Sequence, residues 1–354
     1  MSEHRRILVI RTDRIGDVVL ATPLIRALRQ TFPSAFIAAM VRPHTKDILL
    51  KNPHLNDILL DDSENEHRGR GGFWRQVKTL RRYKFDTALL LLPTERLAWM
   101  LLFAGIRTRI SVGLILYEVL TFMKTVSRHK YVPLRHEADY CLDLGRAIGV
   151  QDNNLAVEVF LLDSARESAR DILRSRGISN EARDGSFVVG IHPGGGKSAP
   201  NWHVERYVEL VDLLLQRDNL RIVVTGSRHE KDFSEPFRRL GSPRIADLIG
   251  QLTLGELMAL ISHYAVLVSA SSGPMHIAAA LKVPTVSMFC PLTACAPRLW
   301  GPQGNVAEIV LPPENYCEHQ CPGDPHICAF EGGIDPTTVA DRVMEMLARL
   351  KPKS

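Results

Sequence analysis

A chain of 354 residues, 45% hydrophobic and 23% charged, can bury a full core and is long enough for two domains, which excludes disordered and fibrous classes. Behind Arg5 and Arg6 the first apolar run is only Ile7 to Ile10, far short of a signal segment or a membrane span, so a cytoplasmic protein is expected. The net charge of +5 conceals an asymmetry, with 24 Lys and Arg against 15 Asp and Glu in residues 1–150 and 20 against 24 in the remainder. A basic first half fits an anionic partner: a membrane surface, nucleic acid or a phosphorylated glycan.

Residues 6–10 read as a short buried strand running into Arg11-Thr12-Asp13-Arg14-Ile15-Gly16-Asp17, after which the spacing over 18–30 is helical. Pro33 breaks the chain before an apolar run at 36–41, so the opening predicts β-loop-α-β, the start of a parallel sheet covered by helices. The loop after a first strand faces the crevice where such sheets bind ligands. Asp17 lies at its mouth beside the flexible Gly16, and a carboxylate there either acts as a general base or stabilises the dipole of the following helix.

Residues 61–84 turn from acidic to basic and carry Phe73 and Trp74 among the cations. They predict an exposed loop leading into a basic helix, with a solvated face or a membrane-contacting one as its two readings. Residues 85–92 predict a strand ended by Pro93. The stretches 97–103 and 114–123 are apolar enough for core helices or a lipid-facing groove, and the first is read as core. A polar interruption at 151–154, a helix over 165–176 and a linker at 180–185 place the domain boundary near 180.

Beyond it a second alternation follows: strand 187–191, helix 204–216, strand 221–225, helix 230–240, strand 244–248 and helix 254–263. The series closes on Val266 to Ala270, the small turn Ser271-Ser272-Gly273, and an Ala-rich helix with Pro274 in its first turn. A helix start beside small residues presents unpaired N–H groups and a positive dipole end, which suits phosphate. Three loops after strands would share one ligand: His192-Pro193-Gly194-Gly195-Gly196-Lys197-Ser198, Thr225-Gly226-Ser227-Arg228-His229-Glu230, and Ser271 to His276. The glycines permit close backbone approach to a diphosphate, Lys197 supplies charge and Glu230 accepts ribose hydroxyls. Neither a Walker motif nor an opening dinucleotide fingerprint is present, which argues for a mononucleotide-type ligand on the second domain.

The chain as a whole resembles glycosyltransferase family 9, the ADP-heptose heptosyltransferases of lipopolysaccharide core assembly. The resemblance is carried by Arg11 to Asp17 with Ala21-Thr22-Pro23-Leu24, His192-Pro193-Gly194-Gly195, Asn201-Trp202 before Glu205-Arg206-Tyr207, Thr225-Gly226-Ser227, Gly250-Gln251-Leu252 and Ser272 to Ala280. It implies an α/β GT-B fold: two Rossmann-like domains facing a central cleft, an acceptor domain at 1–179, a nucleotide-sugar domain at 180–335, and a C-terminal helix at 336–354 crossing back to the first. It implies inverting transfer with no cofactor required. Asp17 matches the catalytic base, with Arg14, Gly16 and Thr22 toward the acceptor. Gly194, Gly195, Lys197, Ser198, Thr225, Gly226, Arg228, Glu230 and the Ser271, Ser272, Gly273, Pro274, Met275, His276 turn fall toward the donor. The partners implied are a nucleotide sugar, an anionic glycolipid acceptor and the inner-membrane surface, and not nucleic acid.

The chain departs from the family at Ser271, where many members have an acid, and at Pro200, where they have Lys or Arg. Diphosphate neutralisation then falls to Lys197, Arg228 or the helix dipole. Alternatives are a protein heptosyltransferase of the autotransporter type, a family member using another nucleotide sugar, and a non-enzymatic nucleotide- or glycan-binding relative. Six cysteines in a reducing compartment argue against disulfides. Cys317, Cys321 and Cys328 cluster, and with Cys295 they form a candidate zinc or iron set, though no close Cys-x2-Cys pair is present.

Overall fold

Residues Arg6–Ile10 form strand β1, in which Ile7 to Ile10 are buried on both faces, as a parallel strand covered by helices on each side requires. The structure is a computed structural model and describes residues 5–113, 115–178, 186–196 and 199–350. The chain separates into two units, Met1–Phe160 and Leu161–Ser354.

The first unit continues with α1 (Ile15–Leu20), α2 (Thr22–Thr31), β2 (Phe36–Val41), β3 (Asp57–Leu60), α3 (Gly69–Tyr83), β4 (Thr87–Leu90), α4 (Glu95–Phe103), β5 (Thr108–Val112), α5 (Leu116–Leu120), β6 (Lys124–Val126) and α6 (Glu137–Arg146). Its six strands run in the order β3-β2-β1-β4-β5-β6, all neighbours parallel, with Leu8 opposite Ala38 on one side and Ala88 on the other. The strand order reverses between β1 and β4, so the loop after β1 opens at the switch point of this sheet. The helix expected over 18–30 is two helices. Pro23 sits in the first turn of α2, where its missing N–H cannot continue the hydrogen bonding of α1, and the break falls at Ala21.

The second unit comprises α7 (Asp163–Ser175), β7 (Phe187–His192), α8 (Val204–Leu215), β8 (Leu220–Val224), α9 (Ser234–Arg239), β9 (Ile245–Asp247), α10 (Leu254–Ile261), β10 (Val266–Ala270), α11 (Gly273–Ala280), β11 (Thr285–Met288), α12 (Pro297–Trp300), β12 (Ala307–Val310), α13 (Tyr316–His319) and α14 (Pro336–Arg349). Its sheet repeats the first, in the order β12-β11-β10-β7-β8-β9, again parallel throughout. Here the order reverses between β7 and β10.

Two expectations are revised. The division falls at 160/161 rather than 179/180 because α7 packs on α10, with Ser168 Oγ donating to Glu256 at 2.8 Å. The linker expected at 180–185 lies outside the described residues. The C-terminal helix belongs to the second unit: α14 packs on α8, and Val339, Val343 and Met346 enter the second unit's core. Of the two apolar stretches, 97–103 is core as expected, with Leu97, Met100 and Leu101 buried, whereas 115–122 is largely exposed. Among the described residues no helix is long and apolar enough to cross a membrane.

Candidate active site

In the first unit the loop after β1 is organised by Arg11, which is 4% exposed. Its guanidinium donates to Asp13 Oδ1 from Nε at 2.9 Å, to Asp17 Oδ1 from Nη2 at 2.5 Å, and to Glu137 Oε1 from Nη1 at 3.0 Å. Glu137, almost fully buried at the start of α6, accepts again from Arg128 at 2.7 and 3.0 Å. Buried charges persist only when paired in this way. Burial, and then the neighbouring Asp17, push Asp13 up from 3.8 to about 6, against the pull of Arg11. The Cys141 thiol, 3.8 Å from Arg11 Nη1, is pushed up by its burial. Asp17 stands in the first turn of α1 with one carboxylate oxygen pinned by Arg11, and its side chain keeps 16% exposure.

In the second unit β10, β7 and β8 are neighbours, so the loops at their C-terminal ends lie side by side, and Glu230 ties two of them together. Its Oε1 accepts from Gly195 N at 3.0 Å and its Oε2 from Ser227 N at 2.7 Å, the second bond completing a capping box with Ser227. A side chain at Gly194 would put its Cβ 2.4 Å from both carboxylate oxygens, so the glycine is required by this close approach. Beneath, His192 Nδ1 and Thr225 Oγ1 are 2.9 Å apart, and burial lowers His192 to about 4, leaving a neutral imidazole. The loop after β7 is fixed from behind by Asn201, whose Nδ2 donates to Pro193 O at 2.7 Å while its Oδ1 accepts from Tyr207 at 2.7 Å. Trp202 Nε1 donates to Ile334 O at 3.0 Å. Gly250 N donates to Gly226 O at 2.9 Å and holds the loop after β8. At the start of α11 the Ser272 hydroxyl is shielded from solvent and makes no hydrogen bond among the described residues.

These positions sort the expected residues. Asp17, Gly16 and the exposed Arg14 share the first loop, and Gly194, Gly195, Gly226, Glu230 and the exposed Arg228 share the second-unit loops with Ser271, Ser272 and Gly273. Lys197 and Ser198 lie outside the described residues. Thr22 is corrected: it is fully buried, donates to Val19 O at 2.7 Å and accepts from Glu158 N at 3.1 Å, so its hydroxyl joins α1 to the segment around Glu158 rather than meeting an acceptor. Thr225, Pro274, Met275 and His276 are likewise buried. Arg11, Asp13, Arg128, Glu137 and His192 are additional members of the two sites.

The cysteines of the second unit lie together. Cys290, Cys295 and Cys328 are buried and Cys317 and Cys321 half-buried, none of them in a disulfide, and they gather in the second unit's core. Cys290 and Cys295 contact each other, and burial, then Cys290 and Cys321, push Cys317 up to about 11. Among the described residues no three His, Cys, Asp or Glu side chains are placed to hold a metal ion as they stand.

Two Rossmann-like units, each with its polar loops at a sheet switch point, have the architecture of GT-B glycosyltransferases. The sequence model of glycosyltransferase family 9 (heptosyltransferase) matches residues 73–323, and the chain belongs to that family. It is 25% identical to lipopolysaccharide heptosyltransferase 3 of Escherichia coli strain K12, over 77% of this chain and 79% of that one. Its fold matches the crystal structure of the glycosyl transferase family 9 protein from Veillonella parvula DSM 2008 with TM-score 0.83 at 21% identity, covering 99% of both chains. The structure of E. coli ADP-heptose lps heptosyltransferase II matches with TM-score 0.75 at 21% identity, covering 97% of this chain and 99% of that one. The protein is therefore a glycosyltransferase of GT-B fold, and the non-enzymatic alternative is set aside.

Proposed function

We propose that the enzyme transfers heptose from ADP-heptose to a lipopolysaccharide inner-core acceptor, with inversion, at the cytoplasmic face of the inner membrane. The names of the relatives support the substrate class. The observation that carries the chemistry is Asp17, a partly exposed carboxylate whose second oxygen takes no hydrogen bond among the described residues while Arg11 holds the first at 2.5 Å. In this reading Asp17 takes the proton of the acceptor hydroxyl through the second oxygen. The alkoxide then attacks the anomeric carbon as the glycosidic C–O bond to the nucleoside diphosphate breaks on the opposite face. Negative charge grows on the departing diphosphate, where each well-aimed donor contributes roughly 3 kcal/mol to the transition state. The donors would be the backbone N–H groups opening α11 and the exposed Arg228, with Glu230 toward the ribose and Gly194 and Gly195 allowing close approach. With Ser271 in place of an acid and Pro200 in place of a cation, Arg228 and the helix start carry more of this task than in other members.

A thermal-shift panel of nucleoside diphosphates tests the donor. ADP at a hundredfold excess over its dissociation constant is expected to stabilise the protein by about 2.7 kcal/mol, with UDP and GDP doing less. Mass spectrometry of products from core-oligosaccharide acceptors then identifies the sugar transferred. Preferential stabilisation by UDP would overturn the ADP-heptose assignment and favour another nucleotide sugar.

A further inference from the structure

Helix α5 is turned inside out for a surface helix. Glu118 is completely buried and accepts from Ser111 Oγ at 2.5 Å and from Ile115 N at 2.8 Å. Thr121 is equally buried, and its carbonyl is held by Arg109 Nη2 at 2.8 Å. The apolar residues point outward: Leu116 is 72% exposed, Val119 55%, Leu120 51% and Phe122 77%. A short helix packed on a core in water does the reverse. The buried polar clamp fixes this presentation, since turning the leucines inward would break the bonds of Glu118 and Arg109. Phe122 adds a backbone argument. It is left-handed at φ 51, a conformation costly for a bulky residue and natural to Asn or Gly.

The surroundings say what covers this face. Helix α5 adjoins α4, which adjoins α3. Helix α3 carries Arg70, Arg75, Lys78, Arg81 and Arg82 without one acidic residue, and beside them its Trp74 is 49% exposed and meets Phe103 of α4 at 5.1 Å. Along 107–124 the exposed charges are Arg107 and Lys124, because Arg109 and Glu118 are buried. A second copy of this chain would bring like charge against like. A lipid surface with anionic headgroups supplies both needs, an acyl boundary for the apolar side chains and phosphates for the cations.

We propose that the α3-α4-α5 face of the first unit is a docking surface for a bilayer containing anionic phospholipid. Leu116, Val119, Leu120 and Phe122 enter the headgroup–acyl boundary, and the α3 cations rest on the phosphates. Its biological purpose rests on the reading of a lipid-borne acceptor; the docking itself is a property of this face.

Flotation of the full-length protein with phosphatidylcholine–phosphatidylglycerol vesicles, and with pure phosphatidylcholine vesicles as reference, tests it. Binding to the anionic vesicles that weakens with salt is expected. Phe122→Asn, which suits the left-handed backbone and leaves the melting temperature unchanged or higher, and Leu116→Ser should each lower vesicle binding by roughly tenfold or more. Lys78→Gln with Arg82→Gln should lower it roughly fivefold per cation removed. Absence of binding to anionic vesicles overturns the proposal, as does wild-type binding by both apolar variants. A solution dimer dissolved by Leu116→Ser also overturns it, assigning the face to a second copy. Transfer to a deacylated, soluble acceptor reports on the reaction separately: loss of transfer with docking intact would refute the substrate reading and leave the docking surface standing.

Discussion

Gly194→Ala tests whether Glu230 is the bracket of the second-unit site. The added Cβ would lie 2.4 Å from each carboxylate oxygen and 2.6 Å from the carboxylate carbon, a separation real side chains do not adopt. Glu230 must leave, and with it go the bonds from Gly195 N at 3.0 Å and Ser227 N at 2.7 Å. Buried bonds to a charged acceptor contribute about 1.5–3 kcal/mol each. Glu230 is only half-buried, so solvent screening reduces the pair to a total of about 2 kcal/mol. That corresponds to a fall of about 4–8 °C in the melting temperature, together with weaker ADP stabilisation. Gly195→Ala, whose Cβ would meet nothing nearer than Asn201 Nδ2 at 3.5 Å, is the control and should be nearly silent. In a Glu230→Ala background the collision has no partner, so Gly194→Ala should add little, a clear departure from additivity. Calorimetric scans of the four proteins check this. A Gly194→Ala protein that unfolds with Gly195→Ala, or that is additive with Glu230→Ala, would refute the bracket.

Asp17→Asn should lower turnover by roughly 100-fold or more while the ADP thermal shift is retained, measured by product formation beside thermal shift. Arg11→Met strands Glu137 with Arg128 alone and leaves Asp13 and Asp17 without their shared cation; unfolding in urea should show a loss of about 3–5 kcal/mol. Asp13→Asn should show a pH signature. The native carboxyl holds its proton up to about 6, against 3.8 ordinarily, so the native state binds more protons and wild-type stability falls as pH rises from about 4 to about 6. The melting temperature of Asp13→Asn minus that of the wild type should therefore climb across this window and level off above it.

The two sheets were legible because their strands are apolar runs bounded by Gly, Pro or small polar residues, and β1, β2 and β10 fall where the patterns end. The loops after β7, β8 and β10 were legible for a related reason: each follows such a strand with small residues that only a close backbone approach needs. Glu230 is legible as a site residue, but the sequence pattern starts a helix at it, whereas the helix begins at Ser234. The Ser227-x-x-Glu230 spacing was the available sign that the chain caps there and forms a tight turn first. What escaped the sequence depends on distance along the chain or on facing. Arg11 and Glu137 are 126 residues apart, and nothing local marks them as partners. Thr22 reads as a binding hydroxyl until its bond to Val19 O is seen. The apolar run through α5 was ambiguous because its outward face is set by a buried Glu118, and a buried carboxylate inside an apolar stretch has no periodic signature.

The Arg11 network also sets Asp17 beside a second carboxylate, Asp13, around one shared cation. Asp13, Asp17 and Glu137 surround two arginines, Arg11 and Arg128, so one negative charge is in excess. Glu137 is held by both arginines. The excess is relieved at Asp13, the carboxyl that burial and Asp17 push up to about 6. Two carboxyls with separated environments divide the roles between them. Asp13 takes up a proton as the pH falls through about 6, and Arg11 remains paired with Asp17. Removing Asp13's charge should on this reasoning strengthen the Arg11 contact to Asp17, so that Asp13→Asn keeps more activity at mildly acidic pH than any variant of Arg11 or Glu137.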